Sequence, residues 1–359
     1  MVQKSCHEAC GPDEQRRNLL TLAGAGVVAG AGTAFGIPSA HAQDQTPIRV
    51  AWQPQWAGTA YYVFALKQTD ILKKYGIAVE WVPFVAGGPA IAALVTDSVD
   101  VGYIGDAPAV FLLARSNNAR LVAHLVDHHA ALFVKAGSPY KSLDQLKGKK
   151  VATFFGAGVH SLAVRWFQQI GMSPGEQFTL LNLGLAEALQ ALLMGEIDAA
   201  MIWGSGAQEA RDRGDIRVLK EAPEPCPIVM TSNFISKRRD AAEKMLAAHT
   251  EAVLFSATHK ELVNRWAGTN VGLKDPRAFE FDIQLDRNFG AKSIADVKLD
   301  ITASDIEEYG ALAAFLAREK AIPNAPNIVR AYDASILAGA RKRIDINSYD
   351  PKRINISQQ

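Results

Sequence analysis

The chain has 359 residues, 48% of them hydrophobic and 21% charged, and its 38 Lys and Arg nearly match its 37 Asp and Glu for a formal charge of +1. That is enough apolar material for a full core and enough length for two globular lobes. The balance excludes a broad basic field for nucleic acid and an acidic one for a cationic partner, so any selectivity must be local.

Residues 1–42 read as an export signal. Arg16 and Arg17 precede an apolar run at 19–35, which leads to Ser39-Ala40-His41-Ala42, an A-x-A pattern for cleavage after Ala42. The arginine pair, followed by Asn18, Leu19 and Leu20, and the weak hydrophobicity of a run with glycines at 24, 26, 30, 32 and 36, resemble a twin-arginine signal, which carries folded protein across the membrane. The run is too short and glycine-rich for an uncleaved anchor. Cys6 and Cys10 fall in the removed part and leave Cys226 alone, so the mature chain has no internal disulfide. A soluble periplasmic protein is expected.

In the mature part, an apolar strand at 48–52 turns through 53–58 into a helix with apolar Tyr62, Ala65, Leu66 and Leu72. A second strand at 78–85 meets Gly87-Gly88-Pro89 and a helix through Val95. In the third unit, DVGYIGDAPAVFLL, the strand stops at Gly105 and a helix starts with Asp106, Ala107 and Pro108. Such a junction points unpaired N–H groups and about half a positive charge at whatever lies above the strand end, which suits an anion. The turns at 86–90 and 155–161 read the same way. Strand, turn and helix in repetition predict a parallel sheet with ligand sites at the carboxyl ends of its strands.

The pattern restarts after KSLDQLKG, with a strand at 150–155, a turn at 156–160, a helix at 161–170, a strand at 178–183, a helix at 187–194 and a strand at 199–203. Two such units predict two lobes with a ligand cleft between them. The extended runs 130–134 and 227–235 would be the two hinge crossovers, which puts 43–131 and 231–359 in lobe I and 132–230 in lobe II. Helices are expected over 239–259, amphipathic, and 304–320, where Ser304 with Glu307 three residues on reads as a cap.

Several side chains beside these turns donate hydrogens: the amides of Gln53 and Gln55, the indoles of Trp56 and Trp203, and His160 and Ser161. Each hydrogen bond to an ionised oxygen contributes roughly 1.5–3 kcal/mol net, so four or five suffice for the about 8 kcal/mol of a micromolar complex after ordering costs, with no arginine required. The aromatics Trp52, Trp56, Tyr61, Tyr62, Tyr103, Phe154, Phe155 and Trp203 would pack an organic group, which favours an organic anion over nitrate or bicarbonate. Asp106 reads as a helix cap or an amine contact, because a carboxylate beside a bound anion is unfavourable.

No metal is expected from His124, His128 and His129, since the last two point to opposite faces of a strand. No cofactor is expected either: Gly156-x-Gly158-x-x-Ser161 follows a strand, but the next strand ends in Leu183-Gly184 instead of an acid for a ribose. Hydrolase-elbow, phosphate-loop and His-Glu-x-x-His patterns are absent from the sequence, so an enzyme is not expected.

The segments VAWQP, WVPFVAGGPAIAAL, VDVGYIGDAPAVF, KSLDQLKGKKVATFFGAGVHSLAVRWF and GEIDAAMIW, in that order and spacing, resemble the periplasmic solute-binding proteins of ABC importers, in the group of aliphatic sulfonate, taurine and nitrate binders and most of all its sulfonate branch. The resemblance implies a two-lobed α/β clamp of type II (Venus-flytrap), each lobe a mostly parallel sheet flanked by helices. It implies a monomer that delivers a small organic anion, a sulfonate or sulfate ester first and a taurine-like solute next, to an inner-membrane permease with its ATPase, with no nucleic acid involved. It places ligand contacts at Gln53, Gly87, Gly88, Gly105, Asp106, Ala107, Gly158, His160, Ser161 and Trp203; the residues' own chemistry adds Gln55 and Trp56. One departure is Trp203-Gly204-Ser205, where members often read Trp-Asp-Pro. The alternative on the same fold is a heteroaromatic solute such as a pyrimidine precursor of thiamine, though the cysteine-rich motif of the related eukaryotic enzymes is absent.

Overall fold

The computed structural model describes residues 46–272, 275–345, 350 and 353–356, so the expected export signal at 1–42 lies outside the described residues. The elements begin with β1 (Ile48–Trp52), α1 (Ala57–Lys67), α2 (Ile71–Lys74), β2 (Val79–Pro83), α3 (Gly87–Val95), β3 (Val101–Tyr103), α4 (Asp106–Arg115) and β4 (Ala119–Lys135). They continue with β5 (Lys150–Thr153), α5 (Gly158–Gln168), β6 (Thr179–Asn182), α6 (Leu185–Met194), β7 (Ala199–Met201), α7 (Ser205–Asp212) and β8 (Ile216–Thr231). The last are α8 (Ser232–Lys237), α9 (Arg239–Thr258), α10 (Lys260–Asn270), α11 (Ala303–Arg318), α12 (Ile328–Ala331) and α13 (Ala334–Arg341).

The strands join in the order β2-β1-β3-β8-β4-β7-β5-β6. β1 pairs parallel with β2 and β3, and β5 pairs parallel with β6 and β7, so two parallel triples flank the antiparallel β4–β8 pair. This is the expected two-lobed type II α/β architecture. Each triple is covered on both faces: α1 and α9 supply one apolar cluster against β1 and β3 and α4 and α11 the other, while the β5–β7 side packs against α5 on one face and α6 and α7 on the other. Burial on both faces explains why the strands read as continuous apolar runs.

The crossing strands are far longer than the runs 130–134 and 227–235. β4 has 17 residues and β8 has 16, and β8 ends at Thr231, with the chain turning into α8. The sequence hid this because Pro223, Pro225 and Pro227 argue against a central strand. They fall at every second position, so the ladder to β4 is carried by the intervening Glu224 and Cys226, while β3 pairs only with Ile228, Val229 and Met230 on the other edge. Register shifts between Leu121 and Ala123, His124 and Val126, and Leu132 and Phe133 mark bulges that bend the pair.

Other boundaries moved for local reasons. α5 starts at Gly158, three residues before 161, which rotates the side chains that follow. α11 is capped by Thr302, not Ser304: its hydroxyl accepts the Asp305 N–H at 3.2 Å while the Asp305 carboxylate accepts the Thr302 N–H at 2.8 Å. α9 is enclosed, with residues 245–256 all buried, where an amphipathic helix was expected.

Candidate functional site

The carboxyl ends of β1, β2, β3, β5 and β7 surround a cavity of about 670 Å³. At the β1 end, the turn after Trp52 is locked by Thr59, whose hydroxyl donates to the Gln53 carbonyl at 2.6 Å and accepts the Gln53 N–H at 3.2 Å. This presents Gln53 and the exposed Gln55 to the cavity and leads to Trp56, the cap of α1. Gly58 lets that indole lie over the helix start, since a methyl there would meet the ring at 2.7 Å.

The Trp56 indole N–H donates to His128 Nδ1 at 3.2 Å. An indole only donates, so Nδ1 must be the acceptor and Nε2 carries the hydrogen. Burial, with His129 beside it, holds the ring far below its usual range, at about 3, so His128 stays neutral. His128 and the half-buried Trp203 both line the cavity, with ring centres 6.2 Å apart edge to face. Gly204 then adopts φ +82°, a left-handed backbone that accounts for glycine where the Trp-Asp-Pro pattern would place an acid.

The α3 and α4 starts meet directly: a methyl on Gly87 would lie 2.3 Å from the Pro108 ring, whereas one on Gly88 would meet nothing within 4 Å. Gly87 therefore serves packing and Gly88 faces open space. Gly105 caps α4 and lines the cavity, and Asp106 begins the helix. The donors at this start do not await a ligand. The Asp106 carboxylate accepts the Ala107 N–H at 2.6 Å and lies against its own amide.

Glu224 of β8 faces Asp106 within hydrogen-bonding reach. Burial and the neighbouring charge raise the Glu224 carboxyl well above its usual range, and Asp106 is pushed up to about 6, chiefly by burial. Their contact raises Glu224 and lowers Asp106, so Glu224 is the carboxyl that holds its hydrogen to higher pH. Gly158, the first residue of α5, makes room for them: a methyl there would sit 2.2 Å from Asp106 Oδ1 and 2.5 Å from Glu224 Oε1. Cys226 lines the same wall, its thiol raised by burial and these carboxyls, which keeps the sulfur protonated.

Nine of the twelve sequence-expected residues, Gln53, Gln55, Trp56, Gly87, Gly88, Gly105, Asp106, Gly158 and Trp203, line the cavity. Ala107, His160 and Ser161 do not. Ala107 is fully buried in the core. With α5 starting early, His160 turns away to stack on Phe155 at 4.3 Å and against Phe315 at 5.4 Å. Ser161 is buried and its hydroxyl has no partner among the described residues. Sequence reasoning missed His128, Glu224 and Arg115 as lining residues. Arg115, at the last position of α4, is exposed and lies over the Phe111 ring at 5.6 Å, so a cation does border the cavity where none was expected. The exposed Phe154 and Phe155 form an apolar rim.

His128 and His129 do point apart: His129 binds the Phe281 carbonyl at 2.9 Å and Glu221 at 2.7 Å, away from the cavity. His124 is brought to Asp127 and Asp286, a convergence of acids that the sequence reading did not foresee. Arg287 already holds Asp127 there through two bonds of 2.8 Å and bridges it to Asp305.

The chain matches the family described as "ABC transporter, phosphonate, periplasmic substrate-binding protein" over residues 68–267. It is 30% identical over 275 residues, 72% of this chain and 81% of the relative, to a protein of Escherichia coli (strain K12) named for binding aliphatic sulfonates. It shares its fold with the periplasmic aliphatic sulphonate binding protein SsuA of Escherichia coli, with TM-score 0.66, 22% identity and coverage of 79% and 91% of the two chains. It does so too with the alkanesulfonate-binding protein SsuA of Xanthomonas axonopodis pv. citri bound to MOPS, with TM-score 0.64, 19% identity and coverage of 81% and 99%. No helix among the described residues is long and apolar enough to cross a membrane. The family match and the 30% relative together place this chain in the family of periplasmic substrate-binding proteins of ABC transporters, beside its aliphatic sulfonate-binding members.

Proposed function

We propose that this protein is the solute receptor of an ABC importer for a sulfonate-type organic anion, that it catalyses no turnover, and that it hands its solute to an inner-membrane permease and ATPase. The reading rests on one observation above all: a single cavity collects donors and aromatic rings from the strand ends of both parallel triples. Gln53, Gln55, the open α3 start at Gly88 and the Nε2–H of His128 are the donors for the sulfonate oxygens. Trp56, Trp203, Phe154 and Phe155 pack the organic group.

The β4–β8 pair, bent at its bulges, is the hinge between 43–131 with 231–359 and 132–230. Solute bridging the two triples stabilises the closed form by the difference in its contacts with the two states, and the permease reads that form. The chain is exported and cut after Ala42.

Intrinsic tryptophan fluorescence tests this, because Trp56 and Trp203 line the cavity. Alkanesulfonates are expected to shift the emission saturably at micromolar levels. A panel of sulfonates, sulfate esters and taurine with no effect, or saturation by a neutral pyrimidine alone, would overturn the reading.

A further inference from the structure

The cavity is not confined to the strand ends. From the contact of Gly87 with Pro108 it continues as a groove between α3 and α4, where Gly88 and Ile91 lie three residues apart on one helix and Pro108, Phe111 and Arg115 share a face of the other at i, i+3 and i+7. Ile91 is 5% exposed and Phe111 half-buried, so the floor of the groove is apolar.

Arg115 closes it. Side chains on a helix lean toward its start, and the Arg115 guanidinium does so, lying 5.6 Å from the centre of the Phe111 ring one turn earlier. The charge is thereby brought to within about one turn, roughly 5 Å along the helix, of Pro108 and the open α3 start. Among the described residues the guanidinium has no hydrogen-bond or ion-pair partner, and Arg115 is the one arginine or lysine that lines the cavity. The donors assigned to the sulfonate, Gln53, Gln55, the α3 start and His128, make no use of it. A singly charged alkanesulfonate would lay its chain on Ile91 and Phe111 and end beneath an unanswered positive charge. Asp106 and Glu224 keep a second anion away from the Gly158 wall, so Arg115 is the place left for one.

We propose that the solute is a dianion: a sulfonate whose short apolar chain follows the α3–α4 groove and ends in a second anionic group paired with Arg115. The inference rests on the sulfonate reading above and narrows it. The Phe111 ring steadies the guanidinium by a cation–π contact, and the fork of N–H groups takes a sulfonate or carboxylate through two bonds.

The test is titration calorimetry of the mature protein at pH 7 with alkane disulfonates of three to six carbons and with the alkanesulfonates of the same chain length. At least one disulfonate is expected to bind about tenfold or more tightly than its singly charged partner, by a margin that shrinks as salt is raised. Arg115→Gln is expected to cut the margin to about twofold or less, and Arg115→Lys to retain part of it. The readout is a ratio of two affinities within one variant, so a general loss of folding or of sulfonate binding does not imitate it. Single charges binding as tightly as double ones at every length, or a margin that survives Arg115→Gln, overturns the inference and leaves the sulfonate reading standing. Binding of neither series overturns both.

Discussion

The indole N–H of Trp56 donates to Nδ1 of His128 across 3.2 Å, joining the turn after β1 to the crossing strand β4. The bond selects the ring tautomer and so makes His128 a donor toward the cavity. Trp56→Phe keeps a ring and removes the donor. It is expected to cost about 1 kcal/mol of stability and to weaken solute binding about three- to tenfold. Urea denaturation and titration calorimetry check the two effects, and nitrogen NMR should show the hydrogen of His128 moving from Nε2 to a mixture of both ring positions.

The carboxyl pair gives the empty protein a pH signature. Both folded values lie above those of the unfolded chain, so from about pH 4 upward the unfolded state releases protons that the folded state keeps, and the pair's contribution to stability falls as pH rises. Asp106 stops adding to the loss above about 6, and Glu224 continues it beyond. Glu224→Gln removes the Glu224 part of this term and leaves the part that burial gives Asp106. The variant is expected to be more stable than wild type by roughly 1–3 kcal/mol at pH 8 and to lose that advantage at pH 4. Melting temperatures across that range are the readout, and a gap that does not change with pH would contradict the raised Glu224 carboxyl.

Two glycines separate packing from binding. Gly158→Ala drives a methyl into Asp106 and Glu224, at 2.2 Å and 2.5 Å, and should destabilise the fold by about 1–3 kcal/mol. Gly88→Ala meets nothing within 4 Å. It should leave stability within about 0.5 kcal/mol and weaken solute binding about tenfold, because the methyl stands where the solute approaches the α3 start.

Arg287 holds Asp127 of β4 and Asp305 of α11 at 2.8 Å each. Arg287→Met leaves two buried carboxylates without their cation. The expected cost is about 2–4 kcal/mol, reduced from that of a fully buried pair because the guanidinium is 22% exposed. Denaturant midpoints measure it.

The strand ends and turns were legible because each is a local event, an apolar run stopped by glycine or proline. The points missed depend on pairing between distant segments. Glu224 reads as an acid among prolines, and only the ladder of β8 on β4 carries it to Asp106. Arg115 lies nine residues beyond Asp106, about 13.5 Å along the helix, yet the cavity reaches both ends of α4. The expectation of three helix starts aimed at an anion failed at α4, where Asp106 spends the donors on its own carboxylate. His160 was misplaced by the three-residue error in the start of α5, close to one helical turn.

Native mass spectrometry of the gently purified exported protein tests the central claim most directly. A chain beginning at Gln43 and carrying one small molecule whose fragments include a sulfonate is the predicted result. A bound solute with no sulfur–oxygen anion, such as a heterocycle, would contradict the account.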